Sequence, residues 1–137
     1  MKITKTKFKD LFLFNSKNFY DSRGYFREVL IEKIVKKRFK FTVVSKSKKN
    51  VVRGLHMQKK FQQGKYISVL KGKILDVVVD CRKKSKTFGK HFKIIISQKN
   101  SKSIYVPPGF IHGFLGLENE NIVIYSCTEY RDKKSEI

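Results

Sequence analysis

His56 stands in the run Val51-Val52-Arg53-Gly54-Leu55-His56-Met57-Gln58, where strand alternation puts it on one face with Gly54 and Gln58 and turns Leu55 and Met57 away. A small residue beside two polar ones suits the wall of a cavity, and equally well the solvent face of an antiparallel sheet. In a cavity, an imidazole that titrates near neutrality is a candidate general acid or base. His112 follows the rigid turn Pro107-Pro108-Gly109, so it reads either as a backbone-bonded structural residue or as a pocket wall. His91, between Lys90 and Phe92, is expected to face water. A metal site would need three or four convergent ligands, and Gln58 stands where a close histidine pair would need its second member. No metal is expected.

Asp76 and Asp80 lie on one face of the apolar run Ile74–Asp80. A carboxylate there is costly unless paired, and Asp76 is a candidate to orient a cavity histidine, whereas Asp80 reads as a strand-end residue at the rim. Lys65 opens a β-prone run after Gln62-Gln63-Gly64, but it is one of 26 lysines. Tyr125 sits mid-strand in Ile122–Cys127, the usual place of a core aromatic with a satisfied hydroxyl.

The elements that must hold these residues are short. Apolar or alternating runs at Phe8–Phe14, Tyr25–Leu30, Phe41–Ser45, Val51–Gln58, Tyr66–Leu70, Ile74–Val79, His91–Ser97, Ser103–Val106, Ile111–Leu115 and Ile122–Tyr130 read as strands. Leu70-Lys71-Gly72-Lys73 reads as a tight hairpin. Apolar residues at 31, 34, 35 and 39 allow one short helix at Ile31–Phe39, and the polar Arg131–Ile137 is expected to fray. No repeat or linker interrupts the 137 residues, so they are expected to form a single domain, 1–137. So many strands in so short a chain predict an all-β protein, a double-sheet jelly roll or cupin-like barrel with a ligand site in its mouth.

Composition narrows the partners. Hydrophobic residues make up 40% of the chain, enough for a real core, and no apolar run is long enough to span a membrane as a helix. The opening MKITKTKFKDLFLF lacks the long apolar stretch and small-residue cleavage site of a secretory signal. Cys81 and Cys127 are far apart and read as free thiols in a reducing compartment, so a cytoplasmic protein is expected. The net charge of +21 invites a nucleic-acid reading. Yet 26 of the 32 basic residues are lysines spread along the whole chain, whereas phosphate readers favour arginine forks. A lysine-rich surface that attracts anions in general is the better account, and nucleic acid is not the expected partner.

Several pieces also occur together in a fixed order: Phe19-x-Asp21-x-Arg23-Gly24-Tyr25-Phe26-x-Glu28, Ser45-x-Ser47, Val52-Arg53-Gly54-Leu55-His56-x-Gln58, Gln63-Gly64-Lys65, Asp76-x-x-x-Asp80-x-Arg82, Ser85-x-Thr87-Phe88-Gly89, Pro108-Gly109-Phe110-x-His112-Gly113-Phe114 and Tyr125-x-x-Thr128-x-Tyr130. In this order they resemble the nucleotide-sugar epimerases typified by dTDP-4-dehydrorhamnose 3,5-epimerase, over nearly the whole chain. The resemblance implies a jelly-roll homodimer that works without metal or cofactor, in cell-surface polysaccharide (lipopolysaccharide or capsule) biosynthesis. It makes His56 the catalytic base and Tyr125 the acid on the other face of the sugar, with Lys65 on the 4-keto oxygen. Arg23 and Arg53 would hold the diphosphate, Glu28, Gln58 and His112 would shape the sugar pocket, and Phe19 and Tyr130 would pack on the base of a nucleotide, dTDP in the first place.

Two departures stand out. Phe41 and Val43 occupy positions where the family usually has Gln and Asn. The family also usually runs on past the point matched by Ile137, with a segment carrying an Asp partner for the catalytic histidine; here Asp76 is the expected substitute. The leading expectation is inversion of C3, with C5 as a second centre, in a nucleoside-diphosphate-linked 4-keto-6-deoxy sugar. A 3,4-ketoisomerase and a sugar-nucleotide-binding homologue without turnover are the alternatives.

Overall fold

The computed structural model describes residues 1–137. The strands are β1 (Lys2–Lys5), β2 (Phe12–Asn15), β3 (Phe19–Asp21), β4 (Gly24–Phe26), β5 (Phe41–Ser47), β6 (Val52–His56), β7 (Lys65–Lys71), β8 (Lys73–Asp80), β9 (His91–Ser97), β10 (Lys102–Val106), β11 (Phe110–Gly116) and β12 (Asn121–Cys127). One helix, α1 (Glu32–Val35), and a 3₁₀ turn at Lys133–Ser135 complete the chain. The strands form a six-stranded sheet in the order β1-β2-β10-β7-β12-β5, a four-stranded sheet β6-β11-β8-β9, and the separate hairpin β3-β4. This is the expected double-sheet jelly roll.

Alternation drives the assembly. In β5 residues 41, 43, 45 and 47 turn inward while 42, 44 and 46 are exposed, and β8 shows the same period-two pattern. The inward side chains meet in a core that includes Leu11, Ile67, Val69, Ile74, Val78, Ile96, Ile104 and Val123, with Phe8 and Phe110 closing one end. A smaller cluster, Phe14, Val35, Tyr66 and Tyr105, lies outside the large sheet and is covered by α1 and its flanks.

Several sequence expectations change. The run Phe8–Phe14 is not one strand: Leu11 N–H donates to Phe8 O (3.2 Å), Asp10 adopts φ 66°, and only Phe12 onward pairs. Lys2–Lys5 is a strand that its lysines concealed. The run Tyr25–Leu30 pairs only to Phe26, as half of the β3–β4 hairpin. The helix is four residues long, ending at Lys36 in a left-handed conformation (φ 57°). Gly72 is a corner between the two sheets rather than a hairpin turn, because β7 pairs with β10 and β12 while β8 pairs with β11 and β9. Its φ of +84° and the nearness of Glu120 O and Asn121 leave no room for a side chain.

The C-terminal segment is also more ordered than its composition suggests. Met57 and Ile137 exchange backbone hydrogen bonds (3.0 and 2.9 Å), and Lys59 N–H donates to Ser135 O (2.8 Å). The Gln58 side chain accepts from Asp132 N–H (2.8 Å) and donates to Tyr130 O (3.2 Å) and Phe61 O (2.9 Å). Residues 131–137 are thereby strapped along the end of β6, beside His56.

Candidate active site

A cavity of about 270 Å³ opens between the two sheets at the ends of β5, β12 and β7 on one side and β6 and β11 on the other. On the large sheet, directly opposed residues form inward rows: Lys65, Cys127 and Phe41 in one, Ile67, Tyr125 and Val43 in the next. On the small sheet the facing rows are His56 with His112, and Arg53 with Phe114. His56 therefore looks across the cavity at Lys65 and Tyr125, from one sheet to the other.

Strict alternation would have sent Arg53 and His56 to opposite faces, since they are three residues apart. A bulge resolves this: three steps along β6 match only two along β11, between His112↔His56 and Phe114↔Arg53. Gly54 makes the bulge, with φ +92°, and a Cβ there would lie 2.5 Å from His112 O and 2.8 Å from Gly113 Cα. Both side chains consequently line the same cavity.

The charged groups are held before any ligand arrives. Arg53 Nε donates to Ser47 Oγ (2.7 Å) and its Nη2 to Lys46 O (3.1 Å), which fixes the guanidinium on β5 and leaves Nη1 for the cavity. His112 Nε2 donates to Asp76 Oδ2 (2.7 Å), and both side chains are buried. Asp76 thus orients a cavity histidine, but it is His112 and not His56, which corrects the expectation for this carboxylate. Its other oxygen, Oδ1, is buried without a partner. Asp80 is fully buried rather than at the rim. Burial alone would raise its pKa, but hydrogen bonds from Arg82, Ser85 and Thr87 outweigh that and hold it far below the usual carboxylate range.

His56 is pushed below its ordinary value by burial first and the Lys65 cation second, with the Glu136 carboxylate acting the other way. It is neutral at pH 7 and so able to accept a proton. Burial likewise lowers Lys65 and raises Tyr125. The site thus holds a neutral imidazole facing a phenol that keeps its proton, with an ammonium beside them. No three His, Cys, Asp or Glu side chains converge as a metal-binding group.

The remaining expected site residues lie elsewhere. Tyr130 is an exposed rim residue stacked on the cavity-lining Phe41 (centroids 6.1 Å, planes at 15°), with the Lys40 ammonium 5.2 Å above its ring. Gln58 has its amide committed to backbone groups of the C-terminal strap. Phe19, Arg23 and Glu28 are on or next to the exposed β3–β4 hairpin, where Arg23 pairs with Asp21 (2.6 Å). The hairpin packs at the Leu70 end of β7, through Tyr25 Oη (3.5 Å to Leu70 O), five residues from Lys65. At the rise of an extended strand that is roughly 17 Å.

Sequence reasoning missed Arg131 and Glu136, which pair at 2.9 Å and line the cavity beside His56 and Lys65. Nothing in a short polar tail announces that it will be strapped to an active-site strand. Phe41, Val43 and Cys127 also line the cavity, and for them the period-two pattern did hold the signal.

The family model that describes dTDP-4-dehydrorhamnose 3,5-epimerase matches residues 5–137. The chain is 40% identical to the dTDP-4-dehydrorhamnose 3,5-epimerase of Methanothermobacter thermautotrophicus, over 91% of this chain and 70% of that protein. To the Shigella flexneri enzyme of the same name it is 37% identical, over 99% and 79%. Among solved structures, the dTDP-4-dehydrorhamnose 3,5-epimerase of Elizabethkingia anophelis superposes with a TM-score of 0.89 at 40% identity, covering 99% of this chain and 78% of that one. A dTDP-6-deoxy-D-glucose-3,5-epimerase of Legionella pneumophila, in complex with dTDP-4-keto-L-rhamnose, superposes with a TM-score of 0.93 at 37% identity, over 99% and 76%. Sequence and fold agree, and the chain belongs to the dTDP-4-dehydrorhamnose 3,5-epimerase family.

Proposed function

We propose that this chain inverts C3 of a nucleoside-diphosphate-linked 4-keto-6-deoxy sugar, with dTDP as the nucleotide and C5 as a second centre. The observation that carries the reading is the placement of His56 and Tyr125 on opposite walls of one cavity with Lys65 beside them. A C–H next to a ketone becomes removable when the enolate that forms is stabilised, and the half-buried Lys65 ammonium at the keto oxygen provides this. Neutral His56 takes the proton from one face, and Tyr125 returns one to the other, which inverts the carbon. Arg53, already fixed on β5, takes the diphosphate through its remaining N–H groups. His112, held by Asp76, shapes the sugar pocket between them.

The working unit of this proposal is a homodimer. Resemblance assigns Phe19, Arg23 and Glu28 to the nucleotide, yet within one chain their hairpin sits well away from the cavity. Both statements hold if the hairpin serves the cavity of a second copy. Four exposed aromatics on two three-residue strands, Phe19, Tyr20, Tyr25 and Phe26, fit a hairpin that is covered in an assembly. A nucleotide-sugar substrate and two unpaired cysteines fit a cytoplasmic enzyme.

Product NMR after incubation with the dTDP-linked 4-keto-6-deoxy hexose tests the reading. A sugar inverted at C3, with the ketone still at C4, supports it. Migration of the ketone to C3 would assign a ketoisomerase, and tight binding without any product would assign a non-catalytic homologue.

A further inference from the structure

One wall of the cavity is apolar while the rest is polar, and the sheet register says which part of the sugar meets it. The inward rows run across three strands: Lys65 on β7, then Cys127 and Tyr125 on β12, then Phe41 and Val43 on β5. Adjacent strands are about 4.8 Å apart, so the wall extends about 10 Å from Lys65 to β5. Arg53 crosses from the facing sheet and is tied to β5 through Ser47 and Lys46. The two charged anchors therefore mark the two ends of the bound sugar.

If Lys65 holds the oxygen on C4 and Arg53 the diphosphate on C1, the ring lies along that direction. C3 falls over Tyr125, as the proposed proton transfer requires. C2, the next carbon towards C1, then falls over β5. Its surroundings there are Val43 and Phe41 on one side and Phe114 on the other, all of which line the cavity. None offers a hydrogen bond. The backbone of β5 bonds β12 along one edge, and its free edge points sideways in the plane of the sheet rather than into the cavity, while the Thr42 and Ser126 hydroxyls bond each other (2.8 Å), Thr42 lying on the exposed face of β5. The next inward hydroxyl, Ser45 Oγ, is itself buried and does not line the cavity.

We propose that Phe41, Val43 and Phe114 select a sugar with no hydroxyl at C2, so that the preferred substrate is a nucleotide-linked 4-keto-2,6-dideoxy hexose. This rests on the epimerase reading above. With Arg53 taken up by Ser47, Lys46 and the diphosphate, a C2 hydroxyl placed here would exchange water for apolar side chains, while a CH₂ at C2 packs against the wall without penalty. Apolar pockets discriminate only moderately against an added hydroxyl, by about a hundredfold at most. The enzyme is accordingly expected to favour the 2-deoxy sugar in kcat/KM by about tenfold to a hundredfold, and still to turn over its 2-hydroxy counterpart slowly.

The test compares the dTDP-linked 4-keto-6-deoxy hexose with its 2-deoxy form on the wild-type protein, reading solvent deuterium incorporated at C3. A preference for the 2-deoxy sugar supports the proposal. Equal rates, or a preference for the 2-hydroxy sugar, overturn it while leaving the epimerase reading in place. Exchange into neither sugar overturns the epimerase reading itself. The variant Val43→Thr adds one hydroxyl at nearly constant volume and should narrow the preference towards parity by speeding the 2-hydroxy sugar. A Val43→Thr protein that folds and keeps the full wild-type preference shows that β5 does not set it.

Discussion

At the scale of single residues, the site depends on protonation states set by burial. His56 lies below its ordinary value because burial and the Lys65 cation both disfavour the imidazolium. The acidic limb of kcat/KM should consequently lie below the ordinary histidine value of 6.5, with activity rising as pH rises through it and level across neutrality. Glu136 is the carboxylate that works against this shift, so Glu136→Gln should move that limb to still lower pH. A pH–rate profile of the two proteins checks both statements; a limb that stays put in Glu136→Gln would show that this charge does not reach His56. His56→Asn should lower turnover by about 10²–10⁴-fold while nucleotide binding, read by thermal shift with dTDP, is retained. The types of His56, Lys65 and Tyr125 were legible in the sequence from motif order. The pairing of Asp76 was not, because it depends on a diagonal contact between β8 and β11 that spacing along one strand cannot reveal.

At the scale of elements, the decisive feature is a deviation from regularity. Alternation made most strands readable, and β9 was read to the residue at His91–Ser97 because its apolar residues 92, 94 and 96 recur on one face between polar ends. Alternation also predicted that Arg53 and His56 would part, and only the bulge at Gly54 brings them together. Gly54→Ala would force a Cβ to within 2.5 Å of a backbone oxygen at a φ of +92°. The strain should cost about 1–3 kcal/mol in urea unfolding and should also misplace His56, lowering activity more than stability alone explains. Gly72 taught the complementary lesson: a glycine turn says that the chain changes direction but not which sheet it joins. The loop after β8 is held by Asp80, whose carboxylate accepts from Arg82, Ser85 and Thr87. Since its folded pKa is depressed, this stabilisation is complete above the ordinary carboxylate value of 3.8 and is lost as pH falls below it. Asp80→Asn should cost about 1–3 kcal/mol at neutral pH, the Arg82 left behind being partly solvated, and flatten the acid side of the stability profile, as followed by denaturation at pH 3 and pH 7.

At the scale of the whole molecule, the net charge of +21 has found a modest role. Lysines lie all along the chain, and within the cavity the fixed cations are Arg53, Lys65 and Arg131, suited to drawing in a dianionic diphosphate. The jelly roll itself was legible from strand number and spacing; the stand-alone hairpin was not, because β3 and β4 pair only with each other and each is three residues long. If that hairpin completes a second copy's cavity, then mixing inactive Arg23→Ala with inactive His56→Asn and allowing subunits to exchange should restore activity at hybrid sites. On the proposed mechanism, this cavity removes a proton next to a ketone and returns one from solvent. Incubation of the wild-type protein in D₂O with dTDP-linked 4-keto-6-deoxy sugars, read by mass and ¹H NMR, tests it most directly. The expected result is deuterium at C3, absent in His56→Asn. No incorporation into dTDP-, GDP- or CDP-linked 4-keto sugars, or the same incorporation with His56→Asn, would contradict it.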